Sequence, residues 1–481
     1  GYTKNDQADV PFQVLSIPQK IINQQNKYSK HQIYAECNFG LFEFFIDGTD
    51  EAHKIPLPGP APTSPFAARG LNLNPVGSGN NFISFPMLAD MGFKTEAGQT
   101  AYFSDLSVRN FRFPSNLVFE DTNNQLFRNM AVENGAYKFS GNMLLTADAS
   151  RNATPMLRTA FQTKSNIKKA RLYVTARGIY EVYLNGKRVS EEYFNPGLTQ
   201  YNKHHQYQTF DVTQNLIAGK ENALGAWLSE GWWSGNITYS GESWNFFGDR
   251  QSLLAKMVIT YADGSEQIIT SNPKDWKLFT DGPIRYGSYF QGEVYDAGKE
   301  AAIQGWTAAG FNDAGWKSAS VVPLEGNAYL GTFTERGRAT TFDYKDFRLI
   351  GTMDDNVKIV GTLNARSVKE VRPKVYVYDM GQNMVGIPQI LIKNGQKGQV
   401  INLRFAEIVY PALPDYKGNE GMIMLENIRA ALTQDRYILK GGDEVIQPRF
   451  TFHGYQYLEI TGVDAAIPIE NVKGLVLSSV H

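Results

Sequence analysis

Alternation of apolar and polar residues is the main pattern along this chain, and it predicts strands. It recurs in LRTAFQ (157–162), ARLYVTA (170–176), YQTFDVT (207–213) and NALGAWL (222–228). Successive side chains of a strand face opposite sides of a sheet, so a two-residue period is typical of strands with one buried face. No segment repeats the longer amphipathic period of a helical bundle or barrel. The pattern therefore predicts an all-β protein.

Turn signals separate the predicted strands. Asn185-Gly186 and Asp263-Gly264 each follow an alternating run, and both dipeptides tolerate the positive φ that a tight hairpin turn requires. The run AYFSDLSVRNFRF (101–113) alternates strictly and is predicted to form one closing strand. MIMLENIRAALT (422–433) has a helical period, but we interpret it as a loop with one helical turn.

The strand spacing predicts three consecutive antiparallel β-sandwiches of jelly-roll or concanavalin-like type. Residues 1–30 are polar and are predicted to be a leader or linker. The first sandwich is assigned to residues 31–125 and resembles laminin-G or concanavalin-like domains. The second is assigned to residues 126–345 and the third to residues 346–481. A length of 481 residues agrees with three or four domains.

Charge and composition exclude several function classes. Lys and Arg number 47 and Asp and Glu number 48, so the net charge is −1. This balance argues against nucleic acid or an anionic membrane as a partner. No apolar run approaches the roughly 20 residues of a membrane span. The single cysteine, Cys37, can form neither an internal disulfide nor a cysteine-based zinc site, and we interpret it as a small buried hydrophobe.

Clustered aromatic residues suggest a sugar-binding surface. All seven tryptophans lie within 90 residues: Trp227, Trp232, Trp233, Trp244, Trp276, Trp306 and Trp316. An aromatic ring stacks on the C–H face of a pyranose, and short polar side chains pair with its hydroxyl groups. The loop that follows Gly231 offers both. The candidate sugar-binding residues are Trp233, Trp244, Trp232, Tyr201, Asn236 and Glu242.

The alternative for these tryptophans is a place in the core, because tryptophan is mostly buried. Neighbouring residues on a strand face opposite ways, so we expect one of Trp232 and Trp233 inside and the other outside. Trp306 and Trp316 are assigned to the core.

Two ordered sets of motifs resemble one known family, the bacterial α-L-rhamnosidases of glycoside hydrolase family 78. The first set, within residues 156–340, resembles the family's N-terminal module and comprises Tyr180, Leu184-Asn185-Gly186, Val189, Pro196-Gly197, Tyr201, Tyr207-Gln208-Thr209, Asp211-Val212, Gly231-Trp232, Gly292-Glu293 and Tyr295-Asp296. The second set, within residues 374–462, resembles the next module, a concanavalin-like sandwich, and comprises Asp379-Met380-Gly381-Gln382-Asn383, Gly386, Phe405-Ala406-Glu407, Tyr437, Pro448-Arg449-Phe450, Phe452-His453-Gly454 and Tyr457.

The resemblance implies an accessory part of a larger enzyme. In that family the catalytic domain is an (α/α)6 barrel that follows the concanavalin-like module, and its acidic residues act as general acid and base. None of those acidic residues can be carried over to this sequence. We therefore expect no catalytic residue in this chain. We expect the barrel to be a partner domain C-terminal to this chain, and the chain alone to be inactive.

Carboxylates outside the barrel have competing interpretations. Inverting glycoside hydrolysis needs two carboxyl groups about 6.5–9.5 Å apart. Glu242 with Asp249, or Glu293 with Asp296, are the nearest candidates. We favour a structural role for Glu293 and Asp296, because loop carboxylates commonly accept backbone N–H bonds.

The histidines offer no catalytic arrangement. His204 and His205 are predicted to be solvated in a loop. His453 is interpreted as a packing residue.

Calcium is the candidate cofactor that the resemblance implies, because some family members bind rhamnose through a calcium ion held by this module. The candidate ligands are Asn185 and Asn236. Calcium prefers six to eight oxygen ligands, usually including carboxylates, and no acid stands beside Asn185. The family also tends to have a Pro-Gly-Trp corner. This chain has Pro196-Gly197-Leu198 there, so a possible stacking ring is absent.

The predicted function is therefore the carbohydrate-binding and scaffolding portion of an α-L-rhamnosidase-like hydrolase. The whole enzyme would remove terminal α-L-rhamnose from plant polysaccharides or glycosides with inversion. The alternatives are a free-standing carbohydrate-binding protein without hydrolase activity, and aromatic clusters that only join domains. A sugar-binding β protein without disulfides suits a bacterial periplasm or cell surface. The chain opens on Gly1, so we expect either a removed targeting segment or an engineered start.

Overall fold

The chain is built almost entirely of strands, as the alternation predicted. The computed structural model describes residues 15–38, 41–56, 90–109, 117–120, 130–141, 143–148, 154–235, 237, 246–248, 250–324, 328, 330–335, 338–353, 355–428, 431 and 433–480. The all-β prediction is confirmed, and the number of sandwiches stays a prediction. Within these residues no helix has the length and apolar character needed to cross a membrane.

The strands before residue 150 form small separate sheets. They are β1 (Ile33–Asn38), β2 (Leu41–Ile46), β3 (Asp90–Thr95), β4 (Thr100–Phe103), β5 (Ser107–Arg109), β6 (Leu117–Glu120), β7 (Val132–Glu133), β8 (Ala136–Ser140) and β9 (Met143–Asp148). Strand β1 pairs with β2, β3 with β9, β5 with β6, and β8 lies between β4 and β7. The β3–β9 and β4–β8 pairs cross the boundary predicted between residues 125 and 126.

The prediction of one strand over 101–113 is wrong. Strand β4 ends at Phe103, and Asp105 has a φ of 60°. Because an extended strand needs negative φ, the chain turns there and β5 joins a different sheet. Residues 110–113 lie outside the described part of the chain, as does the side chain of Cys37.

Two facing sheets occupy the centre of the chain. Their strands are β10 (Met156–Gln162), β11 (Ile167–Arg177), β12 (Ile179–Leu184), β13 (Lys187–Arg188), β14 (His204–Asp211), β15 (Glu221–Ser229), β16 (Ser252–Tyr261), β17 (Glu266–Thr270), β18 (Lys277–Phe279), β19 (Ile284–Ser288), β20 (Gly292–Asp296) and β21 (Lys317–Ser318). One sheet has the order β13-β12-β15-β10-β18-β21, and the five-stranded sheet begins β17-β16-β11-β14. Strands β19 and β20 leave this unit.

The remaining strands build the C-terminal part. They are β22 (Gly331–Glu335), β23 (Arg338–Phe342), β24 (Arg348–Gly351), β25 (Lys358–Asn364), β26 (Ser367–Arg372), β27 (Val375–Gly395), β28 (Val400–Ala406), β29 (Gln434–Ile438), β30 (Gly442–Ile446), β31 (His453–Thr461) and β32 (Val472–Ser478). Short 3₁₀ helices span Thr213–Asn215, Ala297–Ile303, Pro414–Tyr416, Glu426–Ile428 and Ile469–Asn471. The helix Glu426–Ile428 confirms one helical turn in the loop predicted over 422–433.

Two parallel pairings connect the central and C-terminal parts. Strand β24 runs beside β14 and completes the five-stranded sheet. Strand β20 runs beside β29, so β19 and β20 belong to a large sheet with the order β19-β20-β29-β28-β31-β27-β32-β25. Strands on both sides of the predicted boundary between residues 345 and 346 therefore pair in the same sheets. The domain limits stay predictions.

Aliphatic and aromatic side chains fill the space between the two central sheets. Leu172, Val174, Met257 and Ile259 are buried there from the five-stranded sheet, and Leu224 is buried from the other. A second core joins the central unit to the C-terminal part and includes Trp227, Trp306, Trp316 and Phe450. Trp306 and Trp316 are each 7% exposed, which confirms their assignment to the core.

Candidate functional site

The hairpin turn at Asn185 is fixed by its own side chain. Asn185 and Gly186 have φ of 52° and 82°, which confirms the predicted tight turn between β12 and β13. The Asn185 Nδ2 donates to Asn215 O at 2.8 Å and to Asn222 Oδ1 at 2.6 Å. Its Oδ1 accepts from the backbone N of Ala223 at 2.9 Å. The amide therefore serves to bind the turn to β15.

This environment does not fit a calcium ligand at Asn185. Its amide group is committed to three hydrogen bonds, and calcium prefers carboxylate oxygens. Within the described ranges no group of three or more His, Cys, Asp or Glu side chains could hold a metal ion. Asn236, the other predicted ligand, lies outside the described residues.

The Gly-Trp-Trp loop that follows β15 places its two tryptophans differently. Trp233 is 1% exposed, and its Nε1 donates to Arg250 O at 3.0 Å. Trp232 is half-buried, with its ring 5.0 Å from Tyr289 and 5.8 Å from Phe290. Trp233 is therefore the inner residue of the pair, as one of the two was predicted to be, and Trp232 retains an accessible portion.

Trp233 and Tyr201 belong to an aromatic cluster that covers one end of the five-stranded sheet. Tyr201 is 1% exposed and lies 5.8 Å from Trp233 between ring centroids. The guanidinium group of Arg177 lies 5.4 Å from the Trp233 ring. Tyr201 also stacks on His205 at 4.9 Å, and Phe247 packs behind both aromatic rings. A sugar could reach neither Trp233 nor Tyr201 without movement of this cluster.

The prediction that His205 is solvated is wrong. His205 is 4% exposed beneath Tyr201 and Phe347, whereas His204 is exposed as predicted. Both histidines begin strand β14, so the predicted loop is wrong here. Burial lowers the pKa of His205 to about 4, and its Nε2 is 2.7 Å from the carbonyl oxygen of Ala176. A neutral ring that donates from Nε2 to Ala176 satisfies this geometry.

Three of the predicted sugar-binding residues, Trp244, Asn236 and Glu242, lie outside the described part of the chain. Asp249 lies outside it as well. The sugar-binding role of these residues, and that of Trp232, stays a prediction.

Glu230 is a buried carboxyl group that the sequence did not point to. It precedes Gly231, and its backbone oxygen accepts from Trp233 N at 3.2 Å. Burial raises the pKa of Glu230 to about 8, and a hydrogen bond from Tyr286 offsets part of that rise. A Cβ on Gly235 would overlap the Glu230 carboxyl group, so the loop packs directly on it.

Glu293 and Asp296 brace the chain, as we favoured from the sequence. The Glu293 Oε2 accepts from the backbone N–H groups of Arg449 and Phe450, both at 3.0 Å. Asp296 accepts from Gly298 N at 3.0 Å at the start of a 3₁₀ helix. Burial raises the pKa of Glu293 to about 8, and its two backbone donors oppose that rise.

His453 has the packing role that was predicted for it. It is buried and stacks on Phe405 at 3.8 Å between ring centroids. Its Nε2 lies 3.0 Å from an oxygen of Asp435, and the same carboxylate accepts from the backbone N of Glu293 at 2.8 Å. The ring and the carboxylate therefore belong to the junction between β20 and β29.

Arg449 connects the central unit with the C-terminal part. Its Nη1 lies 2.8 Å from Glu181 Oε2 and 2.6 Å from the hydroxyl of Tyr183. Arg188 also pairs with Glu181 at 3.1 Å. Burial raises the pKa of Glu181, but the two cations and the Tyr183 hydroxyl together outweigh it and the pKa is lowered overall. Glu181 is therefore an ionised, fully paired carboxylate.

The outer face of the five-stranded sheet is open beside the aromatic cluster. Tyr173 on β11 and Tyr207 on β14 are half-buried there, with ring centroids 6.3 Å apart at an angle of 61°. Leu254 and Leu349 are 54% and 44% exposed on the flanking strands β16 and β24. This face carries aromatic and aliphatic groups accessible to a ligand.

Known proteins match both parts of the chain. A model of the α-L-rhamnosidase N-terminal domain matches residues 165–334, and a model of the bacterial α-L-rhamnosidase concanavalin-like domain matches residues 369–478. An α-L-rhamnosidase of Streptomyces avermitilis is 38% identical over 328 residues, which are 68% of this chain and 28% of that protein. One of Formosa agariphila is 34% identical over 326 residues, which are 66% of this chain and 31% of that protein.

Solved structures give the same result. The S. avermitilis α-L-rhamnosidase complexed with L-rhamnose superimposes with a TM-score of 0.57 and 36% identity, covering 72% of this chain and 31% of that one. The Aspergillus terreus α-L-rhamnosidase gives a TM-score of 0.56 and 30% identity, covering 71% of this chain and 38% of that one. The chain thus spans about a third of the length of these relatives. It belongs to the α-L-rhamnosidase family and contains that family's N-terminal and concanavalin-like domains.

Proposed function

We propose that this chain is the carbohydrate-binding and scaffolding portion of a glycoside hydrolase that removes terminal α-L-rhamnose from plant polysaccharides or glycosides. Family membership supports the substrate class, because the relatives are named α-L-rhamnosidases and one was solved with L-rhamnose. The observation that carries the scaffolding role is the β20–β29 pairing, braced by Arg449, which joins the two family domains.

The catalytic step belongs to a separate domain in this proposal. Two carboxyl groups about 6.5–9.5 Å apart would protonate the leaving oxygen and activate a water in an inverting mechanism. Among the described carboxylates, Glu181, Glu293 and Asp296 are occupied in bracing contacts, which supports a partner domain as the source of these groups. An (α/α)6 barrel that follows this chain in the longer protein would supply them.

Hydrolysis of 4-nitrophenyl α-L-rhamnoside tests this division of labour. This chain alone is expected to release no nitrophenol above the buffer rate, and the full-length protein that contains it is expected to turn over. Release by the chain alone would contradict the accessory role. No release by the full-length protein would favour a carbohydrate-binding protein without hydrolase activity.

The loop after Gly231 is the proposed place for a terminal rhamnose. Trp232 would stack on the C–H face of the sugar, with Trp244, Asn236 and Glu242 around it. Trp233 and Tyr201 would support this surface from beneath, since both rings are packed in the aromatic cluster.

Titration of methyl α-L-rhamnoside followed by calorimetry tests the loop, with and without calcium. Trp232→Ala and Trp244→Ala are expected to weaken binding about fivefold, since a stacked ring contributes on the order of 1 kcal/mol. Tyr28→Ala, at a ring that is 90% exposed elsewhere, is the matched control and should bind like the wild type. Equal affinity in all four proteins would reject the loop as the site.

A bacterial periplasm or cell surface is the proposed location, because polymeric plant glycans are encountered outside the cytoplasm. Fractionation of the native organism with an antibody against this chain tests it. Recovery with cytoplasmic markers would contradict the proposal.

A further inference from the structure

His31 lies between two hydrogen-bond acceptors in the N-terminal part of the chain. Its Nδ1 is 2.7 Å from Asp47 Oδ2, and its Nε2 is 2.8 Å from the backbone oxygen of Asn26. An ionised carboxylate and a carbonyl oxygen can only accept, so both ring nitrogens must carry a proton to satisfy this geometry. A histidine with two N–H groups is a cation. The arrangement therefore selects the imidazolium form of His31.

Both acceptors are held in place by further hydrogen bonds. The Asn26 Nδ2 donates to Ile21 O at 2.7 Å, within a turn segment of residues 18–29. The Asp47 Oδ1 accepts from Gln32 N at 2.8 Å, and Asp47 N donates to Gln32 O at 2.8 Å. The ring therefore bridges two fixed groups, one on the turn segment and one at the end of β2.

The bridge closes a small unit made of residues 15–56. The turn segment contributes Ile21 to its apolar core, the β1–β2 hairpin contributes Ile46, and Ile55 follows the hairpin. All three isoleucines are buried. So small a core gives little stability on its own, and polar contacts such as the His31 bridge are needed to hold the turn segment on the hairpin.

Asp47 supplies the charge that acts on the ring. The hydrogen bonds to Asp47 and Asn26 raise the pKa of His31 above its ordinary value of 6.5, and partial burial opposes this rise. In turn, the bonds from His31 and from the backbone N–H of Gln32 lower the pKa of Asp47, and nearby His53 adds to the lowering. The pair is therefore ionised on both sides at mildly acidic pH.

Further charged groups stand on each element of the unit. They are Lys20 and Lys27 on the turn segment, Lys30 beside the ring, Glu36 and Glu43 on the hairpin, and Asp50, Glu51, His53 and Lys54 after it. Lys30 is paired with Asp105 at 3.1 Å, His53 with Asp50 at 2.8 Å, and Lys54 with Glu43. Most of these charges offset one another, and Asp47 is the carboxylate in contact with the His31 ring.

We propose that residues 15–56 form a pH-sensitive clamp, which is closed while His31 bridges Asp47 and Asn26 as a cation and opens when the ring loses its proton. A neutral imidazole has one N–H, so it turns a lone pair toward one of the two acceptors and gives up that bond. Opening releases the turn segment and uncovers Ile46 and Ile55. The clamp lies before the residues that match the family domains, which begin at 165, and it does not depend on sugar binding.

The pH range of the clamp follows from the direction of each shift. The folded pKa of His31 is raised, so the stabilisation is complete below its unfolded value and is lost as pH rises through the folded value. The folded pKa of Asp47 is lowered, so the stabilisation is present above its unfolded value and is lost as pH falls through the folded value. The clamp is therefore tightest at mildly acidic pH and opens on the alkaline side.

Titration of the histidines by NMR tests the charge state of His31. The chain has six histidines, so selective ¹⁵N labelling of histidine gives few signals, and His31→Gln assigns the signal of His31. In the folded wild-type chain, both ring nitrogens of His31 are expected to stay protonated to a higher pH than in the same chain unfolded in urea. A midpoint that is equal or lower in the folded chain would overturn the proposal.

Hydrogen exchange of the turn segment measures the opening itself. After correction for the intrinsic pH dependence of exchange, the protection of amides in residues 18–29 is expected to fall about fivefold or more between about pH 6 and about pH 9. This corresponds to the loss of one hydrogen bond. Constant protection across this range would contradict a clamp.

Asp47→Asn separates a clamp from ordinary packing, because it should reverse the pH dependence. The new amide oxygen still accepts from Gln32 N–H, but its NH₂ group offers a donor to His31 Nδ1, which suits a neutral ring with its proton on Nε2. Protection of the turn segment should therefore rise with pH in Asp47→Asn. A fall like that of the wild type would overturn the proposal.

Two further variants complete the test. His31→Gln cannot titrate and should remove the pH dependence, so a fall equal to that of the wild type would count against the clamp. His53→Gln is the matched control, because His53 also pairs with an aspartate but has no bond to the turn segment. It should keep the wild-type fall in protection.

Discussion

The guanidinium group of Arg449 lies 2.8 Å from the carboxylate of Glu181, although 268 positions separate them along the chain. Glu181 comes from the N-terminal family domain and Arg449 from the concanavalin-like domain. The Arg449 guanidinium also lies 5.6 Å from the Trp227 ring, and its backbone N–H donates to Glu293. One residue thus bonds to two carboxylates of the neighbouring domain.

Replacing this arginine is expected to destabilise both domains together. Arg449→Ala leaves the nearly buried Glu181 carboxylate with Arg188 as its remaining cation, and the loss should be on the order of 2 kcal/mol of unfolding free energy. Urea unfolding followed by tryptophan fluorescence measures it. Arg348→Ala, at an exposed arginine on β24, is the control and should change stability by less than about 0.5 kcal/mol. Equal effects of the two substitutions would show that the contact adds nothing.

Glu230 should give the stability a specific pH dependence. Burial raises its folded pKa to about 8, above the unfolded value of about 4.3. Between these values the folded state binds a proton that the unfolded state has released, so this group's contribution to stability falls as pH rises from about 4.3 to about 8.

The isostere Glu230→Gln cannot ionise. Its melting temperature relative to wild type should therefore increase steadily between about pH 5 and about pH 8.5. Glu470→Gln, at an exposed carboxylate, should show no such trend. A constant difference between Glu230→Gln and wild type across the range would contradict a buried neutral carboxyl.

Adding an acid at the hairpin turn should not create a calcium site. Asn185→Asp supplies the carboxylate that the sequence lacks, but it removes the two Nδ2 donors to Asn215 O and Asn222 Oδ1. A loss of about 1–3 kcal/mol is expected, with no recovery on adding calcium. Thermal unfolding with calcium and with a chelator measures both effects.

Asn394→Asp is the matched control for that substitution, because Asn394, exposed near the end of β27, has a similar positive φ of 53°. It should cost little. A calcium-dependent rise in melting temperature for Asn185→Asp would contradict the structural role given to Asn185.

Gly225 should tolerate no side chain. A Cβ there would lie 2.7 Å from the Trp306 ring and 3.0 Å from the Thr307 methyl group, in the middle of β15. Gly225→Ala is expected to cost about 1–3 kcal/mol through overpacking. Gly315→Ala, where nothing lies within 4 Å of the added carbon, should be neutral or slightly stabilising. Differential scanning calorimetry of the two variants measures their melting temperatures. Equal values would refute the tight packing at Gly225.

Local signals in the sequence predicted local structure correctly. Asn185-Gly186 and Asp263-Gly264 form the expected turns, with positive φ at Asn185, Gly186 and Gly264, because tolerance of positive φ is a property of the residues themselves. The packing of Trp306 and Trp316 and the bracing by Glu293 were also predicted. The run 101–113 shows the limit, since its perfect alternation hides a reversal at Asp105.

Local sequence signals did not predict contacts between residues that are far apart along the chain. His205 stands in a polar run that indicates solvent, but Phe347 covers it from some 140 positions later. The carboxyl group of Glu230 packs against Gly235 and accepts a hydrogen bond from Tyr286, and no period in the sequence relates these residues to it. The strands that carry Tyr173 and Tyr207 were predicted from the sequence. The exposure of their outer face depends on how the sheets pack together, and the sequence pattern does not show that packing.

The parallel pairing of β20 with β29 has a consequence for how this region can be divided. A fragment that ends before Gln434 would leave Val294–Asp296 with an unsatisfied row of backbone donors and acceptors, an edge that invites association with other chains. The two family domains are thus poor candidates for separate expression or for exchange between genes. They are better exchanged together as one unit. The cut sites for grafting should then lie before the N-terminal family domain and after the concanavalin-like domain.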